Sequence, residues 1–373
     1  MILKNAMIHV GDGTVRQGDI RIRAGKIAEV GNNLEGTDVR DLTGLDIFPG
    51  FMDAGNFLGT QDMAFYAHDW NENSSPITPY LDVWHSLDPD ELSIQELYKA
   101  GITSMVVSPG NDNILGGTCA VVKTKGKNIN KITVRRDVAL KAAFMDHVID
   151  IYKTKGGPKT PMGMASLLSN ALADPNEGTD FRSRRTHLIM EQVKRGDIPI
   201  LVACDTAVQM LRFLDVVKPY PDMKVIFTLS YQADRIADQL KERNAAVILG
   251  DSSRSSLHCH YQMNYGQLRK MADDGLPFGL TLLGPDMSWG RETVFWNVSR
   301  LLQGEKDKET AVKMLTVNPA EMFGVSDRIG AIKEGLDADL LIYRGNPFEK
   351  VNAVLLETMI EGETVFSFNG EEA

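Results

Sequence analysis

Cysteine is nearly absent. The 373 residues hold three, Cys119, Cys204 and Cys259, far apart and odd in number. No Cys-x-x-Cys pair occurs, which excludes a zinc ribbon and a thioredoxin-type redox site. Long apolar runs are missing too: nothing approaches the roughly 20 residues that a membrane helix needs. The first residues, Met1-Ile2-Leu3-Lys4-Asn5, lack the charged start and apolar run of a secretory leader. A reducing cytoplasm is the expected location. Positive charge is in deficit, with 40 Lys and Arg against 50 Asp and Glu. The resulting net charge of -10 and pI near 5.3 speak against nucleic acid or an anionic membrane as partner.

What is present is the composition of a soluble globular protein, 43% hydrophobic and 24% charged, in a chain too long for one small domain. Residues 1–48 read as strands. Ile20 and Ile22 alternate with Arg21 and Arg23, and Ala24-Gly25-Lys26 turns into Ile27-Ala28-Glu29-Val30, a hairpin pattern. From about Pro49 to Asn318, apolar strand candidates alternate with helical segments. Asp88-Pro89-Asp90-Glu91 has the form of a helix start, closed by Gly101 and followed by a strand over 102–107. Strands at 198–202, 225–227, 246–249 and 278–282 precede helices at about 206–217, 232–243, 267–273 and 292–302. Repeated strand–helix units imply a parallel sheet with helical cover, and the length suits a closed eight-fold barrel. Strand character returns over 329–342 and 365–368, so both termini are expected to meet in one small β domain.

Three blocks carry a family resemblance. Phe48-Pro49-Gly50-Phe51-Met52-Asp53-Ala54-Gly55-Asn56-Phe57 resembles the Pro-Gly-Phe-Ile-Asp-x-His-x-His entry signature of the metal-dependent amidohydrolase superfamily. Ser108-Pro109-Gly110-Asn111 with Leu115-Gly116-Gly117-Thr118 and Val121-Val122-Lys123 is similar to a glycine-rich loop of amidohydrolases related to imidazolonepropionase. Glu72 with Pro76-Ile77-Thr78-Pro79 resembles a run of the same group. Thr316-Val317-Asn318-Pro319-Ala320, followed by Gly330, Gly335, Asp337, Ala338 and Asp339, resembles the superfamily tail where the chain re-enters the β domain.

The resemblance implies an α/β architecture: a (β/α)8 TIM-like barrel over 49–318 with a small β-sandwich domain built from 1–48 and 319–373. It implies hydrolysis of a C–N bond, as in a cyclic amide, by a zinc or other divalent ion. That ion is held by His-x-His after strand 1, histidines after strands 5 and 6, and an aspartate after strand 8, and some members add a bridging carbamylated lysine. Such a metal lowers the pKa of bound water to about 7. Here the ligand positions fall on Gly55, Phe57, Ala203, Thr228 and a residue at or near Leu283. None of these side chains is a metal ligand of the usual kind. No metal and no cofactor are therefore expected.

Other residues offer chemistry, each beside a plainer reading. His258-Cys259-His260 is the one His-x-His. On a strand both rings face one side, but two ligands hold metal poorly, and a loop with two partly exposed histidines is the favoured reading. Asp205, Asp251 and Asp286 follow expected strand ends, where carboxylates bind cations or cap helices. Lys123 and Lys141 suit an anionic ligand or an ordinary ion pair. Cys204 lacks a neighbouring base and reads as a packed thiol. The loop 62–72, with His68 and Trp70, lines a pocket or packs on a partner. The candidate ligand-binding set is Asn111, Lys123, Asp205, Asp286, His258 and His260. The expected protein is a catalytically degenerate or strongly altered amidohydrolase acting as a subunit or regulator, as a homo-oligomer or beside an active paralogue. The alternatives are an active hydrolase with a changed site and a small-molecule binding protein that uses the barrel mouth.

Overall fold

A computed structural model describes residues 1–60, 69–173, 178–250, 264–281 and 308–368, together with 298 and 301. Its first sheet gathers both ends of the chain. β1 (Ile2–His9), β2 (Val15–Arg23), β3 (Lys26–Gly31), β4 (Val39–Asp41) and β5 (Asp46–Pro49) come from the beginning. β14 (Leu340–Arg344), β15 (Val354–Ile360) and β16 (Glu363–Ser367) come from the end. The order is β16-β15-β14-β5-β1-β2-β3, with β4 beside β1. Ala24 and Gly25, both at positive φ, form the two-residue turn between β2 and β3. In place of two separate sheets, the hydrogen bonds join these strands into one. It is irregular in β1, where Asn5 takes a positive φ and the register shifts between Leu3 and Ala6. Leu3, Ile8, Ile20, Ile47, Leu340 and Ile342 share a single core, so this sheet buries its own inner face.

The second sheet runs β6 (Phe51–Asn56), β7 (Ile102–Val107), β8 (Leu115–Lys123), β9 (Thr133–Ala143), β10 (Ile200–Cys204), β11 (Val225–Leu229), β12 (Ala246–Leu249) and β13 (Phe278–Leu280). Its edges approach each other. Thr281 Oγ1 lies 2.9 Å from Asp53 Oδ1 and 2.7 Å from the Gly55 carbonyl, so the barrel is nearly closed. One strand departs from the expected eight-fold repeat: β8 runs antiparallel to both β7 and β9. Antiparallel neighbours are joined by short connections, which is why no crossover helix separates β7 from β8. Alternation divides the strand residues between two layers. Leu201, Ile226 and Ile248 cluster together, whereas Val202, Phe227 and Val247 join the larger core shared with the helices.

The helices are α1 (Leu92–Leu97), α2 (Ile129–Ile132), α3 (Asp146–Tyr152), α4 (Pro161–Ala173), α5 (Phe181–Lys194), α6 (Ala207–Val216), α7 (Ala237–Arg243), α8 (Tyr265–Asp273), α9 (Glu309–Leu315) and α10 (Val317–Met322). α1 starts later than expected, because the Asp88 carboxylate accepts from the Asp90 amide in a turn and Glu91 takes the N-cap position. α6 starts as expected, with Thr206 and Gln209 forming a capping box. The helix expected over 292–302 lies largely outside the described residues. Among the described residues, no helix is long and apolar enough to cross a membrane.

The two sheets meet where the signature residues lie. Gly50 is required there, since a Cβ would stand 2.0 Å from Thr103 Oγ1. Lys123, with a side chain 3% exposed, pairs with Asp339 and lies 3.0 Å from Asp337. Asp337 also takes Lys26 at 2.6 Å and Arg328 at 2.8 Å. Burial alone would raise its carboxyl pKa, but Lys123, Lys26 and Arg328 hold it below the ordinary value. Lys123 pairs across the ladder with Ser104, near the start of β7, and so sits at the end of the barrel opposite the strand C-termini.

A second buried bridge joins β1 to α9. His9 stacks on Phe48 with ring centroids 4.0 Å apart, and its ring nitrogens reach Glu309 at 2.7 Å and Asp46 at 3.1 Å. Burial would lower its pKa, but the two carboxylates outweigh it and raise it to about 9.

Two outcomes follow. Lys123→Met strands the Asp339 carboxylate and should lower the unfolding free energy by about 3 kcal/mol, read by urea denaturation. His9 is raised on folding, so its stabilisation is full below pH 6.5 and lost as pH climbs through about 9. Stability measured from pH 6 to 10 should fall by about 2–3 kcal/mol in the parent chain through this group, and His9→Gln should remove that part of the slope.

Candidate functional site

The C-terminal ends of the parallel strands carry the positions where the superfamily holds its metal. Gly55 is buried at φ 157°, and a Cβ built there would meet a Leu201 methyl at 3.7 Å, in ordinary packing contact. Phe57 is buried and stacks on Trp70, with ring centroids 4.6 Å apart. Ala203 and Thr228 are buried side by side, paired across β10 and β11. These four side chains supply no nitrogen, sulfur or carboxylate donor. Among the described residues, no three His, Cys, Asp or Glu side chains converge to hold a metal ion. The residues present do not fit the superfamily's histidine-held metal. Leu283, Asp251, Asp286, His258, His260 and His68 lie outside the described residues.

One side of this mouth carries a polar cluster instead. Lys141, on β9, is 3% exposed and donates to Asn111 Oδ1 at 2.6 Å and to the Ala142 carbonyl at 3.0 Å. Burial pushes its pKa down to about 8. Asp112, next to Asn111, accepts from His147 at 2.8 Å, and this hydrogen bond raises the imidazole pKa. Asp205 follows β10. Burial, aided by the nearby Asp146 carboxylate and opposed by His147, raises its pKa to about 6. An amine and a carboxyl group shifted toward neutrality, and an imidazole raised by its carboxylate partner, thus share one side of the strand ends. Such shifts are what proton-transfer chemistry near pH 7 requires.

The neighbouring strand end is strained. Leu229 and Ser230 take φ of 70° and 46° in succession at the end of β11. Each such non-glycine residue costs on the order of 1–3 kcal/mol, and such strain clusters at functional sites. The Ser230 hydroxyl and the Asn56 side-chain amide nitrogen are buried at strand ends without a hydrogen-bond partner.

Of the expected ligand-binding residues, Asn111 and Asp205 belong to this mouth. Lys123 does not: it is ion-paired at the far end of the barrel. Lys141, His147 and Asp112 complete the cluster, and only the pair Asp146-His147 shortly after an apolar strand hints at it in the sequence. The glycine-rich stretch owes its glycines to packing. A Cβ at Gly117 would lie 2.8 Å from the Leu81 carbonyl, which accepts from the Thr118 amide. Thr78, from the Pro-Ile-Thr-Pro run, bonds to Leu115 and Asn113 in the same layer. A cavity of about 990 Å³ opens outside this layer, between Trp70, Glu72 and Asn113 on one side and Arg136, Arg182 and Arg185 on the other. Arg136 and Arg185 are already paired with Asp82 and Asp137. Cys204 is fully buried and its thiol pKa is pushed well up, as a packed structural thiol requires.

Asp205 gives a test. Its raised carboxyl pKa costs stability once ionised, so the cost appears as pH rises through about 6. Asp205→Asn should therefore stabilise the chain by about 1–2 kcal/mol at pH 8 and by little at pH 4, measured by thermal or urea unfolding at both pH values.

Comparison with known proteins places this arrangement. The model of the amidohydrolase family (Amidohydro_3) matches residues 287–366. A solved amidohydrolase from Thermotoga maritima MSB8 superposes with a TM-score of 0.88 at 26% identity, over 98% of this chain and 100% of that one. A β-aspartyl dipeptidase from Fervidobacterium islandicum AW-1, solved with a β-Asp-Leu dipeptide, shares the fold at a TM-score of 0.60 and 14% identity, over 98% of this chain and 96% of that one. The amidohydrolase tasK of Hapsidospora irregularis is 21% identical over 94% of this chain, which spans 40% of that relative's length. With the Pro-Gly-Phe entry frame, the nearly closed eight-stranded sheet and the tail block in place, the chain is similar to the amidohydrolase superfamily in fold and in its matched segment.

Proposed function

We propose that this chain is an altered amidohydrolase that has given up the histidine-held metal and binds a small molecule at the barrel mouth. The observation that carries this reading is the state of the ligand positions. Gly55, Ala203 and Thr228 replace bulky imidazoles with small side chains, and Phe57 packs against Trp70. The exchange removes the imidazoles and puts small side chains at three strand ends. Ser230 and Asn56, buried with unsatisfied polar atoms, give a polar guest something to bond. The superfamily points to cyclic amides and related C–N compounds as the guest class. The acidic net charge favours a small polar molecule over a polyanion, and the free, buried Cys119 and Cys204 suit the cytoplasm. A role as subunit or regulator of an active paralogue is compatible with binding without turnover.

A second reading has its own support. Asp112, His147 and Asp205 form an acid–base set, so slow hydrolysis by a base-activated water at this altered site is the alternative to pure binding.

Metal content per chain decides the first point. Protein purified without tag or chelator should hold negligible Zn, Mn or Fe by mass spectrometry, and still negligible amounts after incubation with Zn²⁺. One or two ions per chain would overturn the reading and direct mutagenesis to His258, His260 and Asp286. The double variant Gly55→His, Phe57→His should remain inactive toward a panel of cyclic amides, since Ala203 and Thr228 still offer no imidazole; measurable hydrolysis would count against the assignment of those positions.

A further inference from the structure

We propose that Lys141 is a covalent attachment point, whose amine condenses with the carbonyl group of a small aldehyde or keto compound entering the barrel mouth. This rests on the reading of the mouth as a small-molecule site and names the chemical class of its guest.

Among the described residues two lysines are buried in strands, Lys123 and Lys141, and the contrast between them carries the argument. Lys123 is neutralised by two aspartates and belongs to the junction of the sheets. Lys141 is equally buried but, among the described residues, has no carboxylate within ion-pair distance. Its partners are the neutral oxygens of Asn111 and Ala142. A lone ammonium in such a place is costly, which shifts the balance toward the free amine. Lys141 pairs across the ladder with Leu201, whose methyl lies 3.7 Å from the place of a Cβ at Gly55, so the lysine stands in the strand layer that carries the Gly55 position. Desolvated lysines without a counter-charge are the ones that act as nucleophiles toward carbonyl carbon.

The chemistry balances without an added oxidant or reductant. The Nζ lone pair attacks the carbonyl carbon, and the amine loses a proton as the carbonyl oxygen gains one, giving a carbinolamine. Protonation of its hydroxyl releases water and leaves the imine. His147, held by Asp112, and Asp205 are the groups of this cluster suited to supply and retrieve those protons. Hydrolysis reverses each step, so attachment is reversible.

The test uses the full-length chain at pH 7 with limiting glyoxylate, pyruvate or acetaldehyde and cyanoborohydride, followed by intact mass and peptide mapping. The expected result is one reduced adduct per chain with at least one of these probes, on the peptide bearing Lys141, in roughly tenfold excess over the average surface lysine. Lys141→Met, confirmed folded by circular dichroism, should lose it. Labelling spread over surface lysines, or no Lys141 adduct with any of the three compounds, overturns the proposal. So does a carbamate on Lys141 seen by ¹³C NMR with labelled bicarbonate. Thermal shifts tell which idea has failed. If Lys141 takes no adduct and a cyclic amide still raises the melting temperature, the mouth binds without covalent attachment and only this proposal falls. No adduct and no shift with any compound removes the small-molecule reading as well.

Discussion

A buried lysine tied to two aspartates holds the two sheets of this protein together. Lys123 ends β8 inside the molecule, and an unpaired ammonium there would cost several kcal/mol. Asp337 and Asp339, in the turn that leads into β14, are the groups that neutralise it. The end of β8 is thereby fixed against the start of β14, which in turn lies between β5 and β15. Asp339 extends the same tie, since its other oxygen accepts the Glu361 amide and its carbonyl accepts the Gly50 amide. The placement of the barrel floor, the entry strand and the final hairpin all depend on this one charge being met.

That dependence explains why signature residues of the superfamily persist here beside ligand positions that carry no histidine. Gly50 remains because Thr103 occupies the place of its side chain. Asn318 ties α10 to the Phe278 carbonyl. Gly330, at φ 99°, passes so close to Ala320 that a Cβ would lie 2.6 Å away. Asp337 and Asp339 meet Lys123. Each of these residues supports the fold. Two of the ligand positions do not: Ala203 and Thr228 lie near the ends of strands whose pairing needs no particular side chain. Fold and chemistry are written in different residues, so one can change while the other stays.

Much of the architecture is legible in the sequence for the same reason. The strands at 102–107 and 246–249 end where the apolar runs end, and Thr206 caps α6 as its spacing with Gln209 implies. The direction of β8 is not legible. Leu115–Lys123 is buried throughout, and an apolar run reads alike in either direction. That single ambiguity misplaces Lys123, whose reversal carries it away from the mouth, while Lys141 on the parallel β9 stays there. The pairing of Asp112 with His147 is equally hidden, because it joins residues 35 positions apart that only the β7–β8 and β9–α3 connections bring together. Charge partners are a property of the folded chain. Residue type announces that a lysine is ionisable, and its neighbours decide whether it is a strut or a reagent.

The pairing of β5 with β14 also has a consequence for the order in which the protein is made. β5 emerges early, yet its neighbour on that side begins at Leu340, near the end of the chain. At about 5–20 residues per second, that edge waits on the order of tens of seconds during synthesis, with its amides and carbonyls unpaired. Ile47 and Phe48, fully buried in the finished sheet, are exposed for the same interval. The growing chain therefore presents a sticky strand edge until its last residues arrive to cover it, and chaperone demand should fall on this interval of synthesis.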